Sequence, residues 1–235
     1  MKSQISVLKN SLSGDLLDGK FDNGRYSTDA SIYQIMPEAV ILPKNIEDIK
    51  KTIQFSQEHN IPILPRGGGT SQNGQTVNRA IVLDNSKYLN KIIEVDAINQ
   101  TCLVEPGVVL DELNRFLKPY GLWFPVDVST SSRATIGGMA GNNSAGGRSI
   151  RYGIMRDNVM SIDALLSDAS EAHFGLSKDD ISGLKSLFPK LMAIAEKNKN
   201  EIKTRYPKVL RRVGGYNLDA LLKDTLASRP GSIGT

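Results

Sequence analysis

The stretch LPRGGGTSQNGQ, Leu64 to Gln75, sets three glycines in a row directly behind the apolar run IPIL and adds a fourth at Gly74. A glycine held in an ordered position loses more conformational entropy than any other residue. Two arrangements offset that loss: backbone angles closed to other residues, or a ligand that the backbone must approach closely. The flanking pattern supports a strand before the loop, over residues 61–66. A second glycine-rich stretch, FPVDVSTSSRATIGGMAGNNSAGGRSIRYG, runs over residues 124–153 and reads as a long, nearly structureless connection. Connections of that length inside a domain are functional or disordered, and the small, apolar content of this one argues against disorder.

Outward from the first loop, EAVILP (38–43) reads as a short buried strand closed by Pro43. The segment from Asn45 to Asn60 reads as a helix. Asn45 is its N-cap, Asp48 lies three residues on as in a capping box, and Ile46, Ile49, Ile53 and Phe55 form an apolar side. Residues 80–84, 92–96 and 101–107 read as β runs. The segment VLDELNRFLKPYG is a helix with Leu110, Leu113 and Leu117 on one face, stopped at Pro119 and Gly121. Residues 159–168 read as strand and turn, and residues 180–204 carry helical periodicity. The first half of the chain thus alternates β-α-β and then β-β-β-α.

Bulk properties exclude several classes. The chain has 235 residues, enough for one large domain or two small lobes. Its net charge of +4 comes from 29 basic and 25 acidic residues spread along the chain, which is no footprint for nucleic acid. Cys102 is the single cysteine, so a disulfide framework and a cysteine metal site are both excluded, and it reads as a buried structural thiol. The two histidines, His59 and His173, have no metal-binding spacing, and no metal is expected. No run reaches the roughly 18 apolar residues that span a bilayer, and the N-terminus lacks a signal-peptide core. The expectation is a cytoplasmic protein without a transmembrane segment, with peripheral attachment at the inner membrane left open.

A diphosphate must be met by donors, and backbone N–H groups are the most compact ones available. The first loop offers consecutive N–H groups, the hydroxyls of Thr70 and Ser71 and the cation of Arg66. The second offers a similar surface, and Ile136–Gly141 there opens a short helix. Neither common nucleotide fingerprint fits. No glycine is followed by Lys-Ser or Lys-Thr in the P-loop frame, and G-x-G-x-x-G from Gly67 and Gly69 needs a glycine where Gln72 stands. The two loops imply a long diphosphate ligand lying between two lobes.

The strings YSTDAS, PRGGGTSQNGQTV, PGVVLDELN and STSSRATIGGMAGNNSAGGRSIRYGIMRDNV resemble the flavin domain of the vanillyl-alcohol oxidase/p-cresol methylhydroxylase superfamily. The similarity runs from about residue 26 to the end. Within the superfamily the chain is most similar to FAD-linked dehydrogenases of D-lactate and D-2-hydroxyglutarate, a group that includes glycolate-type enzymes. YPKVLRRVGGYNLDALL is similar to the large bacterial members that carry an iron–sulfur domain.

The resemblance implies an α+β, two-lobed, PCMH-type FAD-binding domain with FAD between the lobes. It implies a lead-in over 1–25, a first lobe over 26–97 and a second over 98–235, truncated at its end. It places Arg66, Gly67, Gly68, Gly69, Thr70 and Ser71 around the pyrophosphate, with Gln75 and Thr76 close by. Ser131, Ser132, Thr135, Gly137, Gly138, Asn142, Ser144 and Gly146 would meet the pyrophosphate and flavin ring. Tyr152, Gly153 and Val159 would close around ribose and adenine. Plainer roles remain open: turn formation for Asn142 and Asn143, and core packing for Tyr152.

Some relatives attach FAD covalently through a histidine in the first loop. This loop has none, so noncovalent FAD is expected. Arg211 and Arg212 would face a substrate carboxylate or simply the surface. In the family GSxGT leads into a further strand and a substrate domain, so the catalytic residues are expected beyond Thr235. The implied reaction moves a hydride from a small hydroxyacid to flavin N5, with a quinone or iron–sulfur centre as electron acceptor. Two other readings stay open: a truncated, catalytically inactive FAD-binding fragment, and a non-redox module for another diphosphate ligand. The first-loop reading expects Gly68→Val to block FAD through its Cβ with the fold mostly intact, and the second-loop reading expects the same of Gly138→Val.

Overall fold

The computed structural model describes residues 2–175, 180–184, 187–209 and 216–222. It divides into two units, Met1–Val159 with Ser167–Ala169, and Met160–Leu166 with Ser170 onward.

The first unit begins with α1 (Lys2–Ser11), β1 (Asp15–Leu17) and α2 (Lys20–Arg25), followed by β2 (Ala39–Leu42), α3 (Ile46–His59), β3 (Ile63–Arg66) and β4 (Ile81–Asp84). The strands form one sheet in the order β1-β2-β4-β3. β4 lies parallel to both β2 and β3, while β1 runs antiparallel along β2. β2 and β4 are buried at all four positions, which explains why AVIL and IVLD are continuous apolar runs instead of alternating ones. Ala39, Ile41, Ile81 and Leu83 pack on one face with Ile5, Leu8, Leu16 and Phe55. Val40, Leu42 and Val82 pack in a second cluster with Leu17, Tyr26, Leu64 and Tyr88.

Asn45 caps α3 as expected, its side chain accepting from the N–H of Asp48 at 2.9 Å. The reciprocal half of the box is different. The buried Asp48 carboxylate accepts from the N–H groups of Ser13 (2.8 Å), Gly14 (2.9 Å) and Lys44 (2.9 Å), tying the turn before β1 to the start of α3. Ile46 is exposed instead of apolar-facing, because the buried face of α3 is Asp48, Thr52, Ile53 and Phe55.

β5 (Ile92–Asp96) and β6 (Thr101–Val104) then pair as an antiparallel hairpin with a register shift between Ile92 and Glu94. α4 (Leu110–Leu117) buries Leu110, Leu113 and Leu117, and the chain leaves it through a 3₁₀ turn into Gly121 at φ 71°. Leu113 and Leu117 pack with Val108 over the hairpin, while Leu110 joins Val126, Ala134, Met139 and Met155. Cys102 is half-buried, and burial pushes its thiol pKa up. The long connection contains α5 (Ile136–Gly141) and α6 (Ser149–Tyr152), more local structure than its composition suggests, and α7 (Met155–Asn158) follows directly.

The second unit holds an antiparallel sheet of β7 (Ile162–Leu165), β8 (Glu171–Phe174) and β9 (Ile181–Ser182), then α8 (Leu187–Lys197) and α9 (Lys199–Arg205). The helical periodicity from residue 180 therefore starts too early. Ile181 pairs with Phe174 in the sheet, Gly183 takes φ 79°, and Pro189 sits in the first turn of α8, where its missing N–H costs nothing. Ala195, Ile202 and Leu222 form this unit's core. Among the described residues no helix is long and apolar enough to cross a membrane. Arg211, Arg212 and the terminal GSIGT lie outside the described residues.

Candidate functional site

The register of β3 against β4 ends at Arg66 opposite Asp84, and the chain leaves the sheet at Gly67. The Arg66 guanidinium turns back over the Tyr26 ring, 5.2 Å from its centroid. It donates to the carbonyls of Tyr26 (3.2 Å), Thr28 (2.8 Å) and Thr76 (3.0 Å). Burial lowers its pKa while Asp84, Tyr26 and Asp29 oppose the change. Arg66 therefore closes the ends of the loop on each other. The other polar side chains of the loop are also engaged internally. The buried Ser71 hydroxyl donates to Gln75 Oε1 (2.6 Å) and accepts from the N–H of Asn73 (3.2 Å). The Thr76 hydroxyl donates to Asp29 Oδ2 (2.9 Å). The backbone is different: among the described residues no hydrogen bond takes the N–H of Gly67, Gly68, Gly69 or Thr70.

The second loop is laced to the strand-to-helix turn ahead of α4. The N–H of Leu110 meets the Ala134 carbonyl (3.0 Å), that of Asp111 meets Ser131 (3.1 Å), and those of Ile136 and Gly137 meet Val108 and Pro106 (2.8 Å each). Thr135 caps α5, its hydroxyl accepting from the Gly138 N–H at 3.3 Å. The two glycine loops touch. A Cβ on Gly67 would run into the Thr135 side chain, and one on Gly68 into the Arg133 carbonyl. Gly69 takes φ 65°, outside the range other residues favour. The triglycine thus serves a left-handed turn and loop-to-loop contact. The expectation that Gly68→Val spares the fold does not hold, because its side chain meets backbone of this same chain.

At this junction lies a polar cavity of about 480 Å³, with Tyr26, Arg66, Asp84, Glu112, Ser132 and Arg133 in its lining. Tyr26 donates its hydroxyl to Asp84 Oδ2 (2.7 Å); burial, then the hydrogen bond to Asp84, push the phenol well above its usual pKa. Asp84 Oδ1 accepts from the N–H (2.8 Å) and hydroxyl (2.6 Å) of Ser86.

Of the residues singled out from sequence, Arg66, Gly67, Gly68, Ser132 and Thr135 line this cavity. Gly69, Thr70, Ser71, Gln75 and Thr76 belong to the first loop outside the lining, and Ser131, Gly137 and Gly138 to the second. Further along, the Asn142 N–H pairs with the Gly138 carbonyl (3.2 Å), the Ser144 carbonyl takes the Met155 N–H (2.9 Å), and Gly146 packs on Asp127. Tyr152 meets Trp123 edge-on at 5.2 Å between ring centroids. Gly153 takes φ 79°, and Val159 packs against the Leu110–Met155 cluster. Sequence reading missed Arg25, Tyr26, Asp84 and Glu112 in the lining. Asp84 carried a usable signal, since ligands of parallel sheets gather beyond the carboxyl ends of the strands.

Four successive N–H groups, without an acceptor among the described residues, follow the carboxyl end of a parallel strand, and backbone donors in such a place are available to an anionic group. The chain is thus an α+β protein whose first glycine loop leaves backbone donors open at a strand end. Residues 37–175 match the family model described as FAD binding domain, and the chain belongs to that family.

Among curated proteins it is 32% identical over 224 residues to a D-2-hydroxyglutarate dehydrogenase of Pantoea ananatis, covering 91% of this chain and 22% of that protein. It is 40% identical over 156 residues to the Escherichia coli D-2-hydroxyglutarate dehydrogenase, covering 65% of this chain and 15% of that one. With a glycolate oxidase subunit of Bacillus subtilis the identity is 39% over 159 residues, covering 66% and 34%. The chain therefore spans about a third or less of these relatives.

Among solved structures, alkyldihydroxyacetonephosphate synthase superposes with a TM-score of 0.65 at 22% identity, covering 74% of this chain and 34% of that one. The 6-hydroxy-D-nicotine oxidase of Arthrobacter nicotinovorans gives 0.63 at 18%, covering 70% and 36%. These likenesses establish the fold.

Proposed function

We propose that this chain is the FAD-holding portion of a flavin-dependent dehydrogenase that oxidises a small D-2-hydroxy acid of the 2-hydroxyglutarate, lactate or glycolate type. One observation carries the reading: the N–H groups of Gly67, Gly68, Gly69 and Thr70, unpaired among the described residues, in a chain of the FAD binding domain family. These donors meet the diphosphate. Ser131, Ser132, Gly137, Gly138, Asn142, Ser144 and Gly146 form the second surface, and Tyr152, Gly153 and Val159 the far end of the site. Residues 26–97 and 98–235 are the two lobes. Arg66, Ser71 and Thr76 shape the loop, since their side chains are bonded within the protein.

Attachment is noncovalent, consistent with the absence of histidine and cysteine from both glycine loops. When bound, FAD supplies the acceptor for the hydride that leaves the hydroxyacid α-carbon; the protein supplies binding and orientation. A quinone or an iron–sulfur centre takes the electrons onward.

The visible absorbance of the purified 235-residue chain tests the reading. A yellow protein that releases its flavin on denaturation and filtration supports noncovalent FAD. A colourless chain that takes up no added FAD removes the cofactor-holding role.

A further inference from the structure

The segment before β2 is a strap across the first glycine loop. It folds back on itself through an antiparallel bridge between Thr28 and Gln34, with the Ile35 N–H donating to the Ser27 carbonyl at 2.8 Å. It is fastened to the loop at every stage of the loop's course. At the start, Arg66 donates to the carbonyls of Tyr26 and Thr28. In the middle, the Ala30 N–H meets the Gly69 carbonyl at 3.2 Å. Near Gly74 the Tyr33 ring lies where a Cβ would stand. At the end, Asp29 Oδ2 takes both the hydroxyl (2.9 Å) and the N–H (3.4 Å) of Thr76, while its other oxygen takes the Ser31 N–H at 2.8 Å.

We propose that Asp29 is a positioning residue for the cofactor: by anchoring Thr76 it fixes the far end of the first glycine loop and so aims the free N–H groups of Gly67–Thr70 at the diphosphate. The inference rests on the FAD reading given above and goes past it, since Asp29 need not touch the cofactor. A loop of glycines has many backbone states, and donors converge on one anion only while both ends are held. Arg66 holds the near end and reaches across to the Thr76 carbonyl. Asp29 holds Thr76 from the other side through its hydroxyl and N–H. Burial works against the Asp29 carboxylate, but the hydrogen bonds from Ser31 and Thr76 outweigh it and keep its pKa below the ordinary value. The anchor is therefore charged at neutral pH, and hydrogen bonds to charged groups are the stronger kind.

The test is FAD affinity of the 235-residue chain, read by flavin fluorescence, with the melting temperature of the cofactor-free protein measured beside it. Asp29→Ala is expected to weaken FAD binding about tenfold, in line with losing a charged hydrogen-bond anchor. Two substitutions at Thr76 separate anchoring from filling space. Thr76→Val keeps the shape and loses the hydroxyl, so it is expected to weaken FAD binding; Thr76→Ser keeps the hydroxyl and is expected to bind like the parent. The reverse order, Val binding normally and Ser weakly, overturns the proposal. So does an Asp29→Ala protein that binds FAD as the parent does. If Asp29→Ala fails to fold, the Thr76 pair decides alone. A parent chain that binds no FAD is a different result: it removes the function reading and this inference with it.

Discussion

Replacing Gly68 with alanine puts the contact between the two glycine loops under direct strain. The added methyl would point into the Arg133 carbonyl, and neither partner is a flexible side-chain end. Arg133 is itself held, its N–H meeting the Thr130 carbonyl at 2.8 Å, and the neighbouring Ala134 carbonyl takes the Leu110 N–H at 3.0 Å. The loops must therefore separate, or the segment 130–135 must move with its ties to α4. Overpacking of this kind costs about 1–3 kcal/mol. For a domain of this size each kcal/mol lowers the melting temperature by about 2–4 °C, so Gly68→Ala is expected to lose roughly 2–12 °C.

Gly138→Ala is the internal comparison. Its methyl would meet only the Thr135 hydroxyl, at 3.1 Å, and alanine is the better helix former by about 0.5–1 kcal/mol. Calorimetry of both cofactor-free proteins reads the difference. Equal melting temperatures for Gly68→Ala and the parent would refute the loop-to-loop contact as the reason for the triglycine. Where Gly138→Ala melts with the parent, a loss of FAD binding in it reads the second loop and not a folding defect.

Two further outcomes follow from groups away from the loops. Asp48→Ala strips an acceptor from three backbone N–H groups at once and is expected to cost about 3 kcal/mol or more, read by urea unfolding; a change below 1 kcal/mol, on the order of a single neutral hydrogen bond, would contradict that role. His173 sits between Asp163 (2.6 Å) and Asp180 (3.3 Å), and its hydrogen bond to Asp163 raises its pKa above the ordinary 6.5. Its contribution to the second unit is therefore full below pH 6.5 and fades as pH rises through the higher folded value, a trend that His173→Gln should abolish in melting curves taken across neutral pH.

The elements from β2 to α4 were legible because their signals are local, whereas β1 and the order of the strands in the sheet were not read. Buried parallel strands read as unbroken apolar runs, and α4 announces itself by Leu110, Leu113 and Leu117 at helical spacing. The second half was less so. Residues 180–182 share apolar spacing with a helix, and only pairing with Phe174 makes them a strand. Asp48 looked like a local capping residue because its partners Ser13 and Gly14 are more than thirty positions away. The glycine loops were legible as loops from their composition, yet Gly68 against Arg133 is a contact between distant segments that no local pattern encodes. Arg66 has a second role hidden for a related reason: a cation beside a glycine loop suggests a phosphate ligand, while its three carbonyl acceptors are scattered over fifty residues of sequence.

The thin antiparallel strand β1 has a consequence for anyone shortening this protein. It pairs along β2 from Asp15 opposite Leu42 to Leu17 opposite Val40, and α1 behind it buries Ile5 and Leu8 against the same sheet. Removing the first nineteen residues would leave the backbone of β2, whose four side chains are all buried, as an open sheet edge. An uncovered apolar edge is a template for pairing with another chain. Trimmed molecules would therefore join edge to edge and leave solution as aggregates, so affinity tags and fusions that must not disturb this sheet belong before α1, with those residues kept.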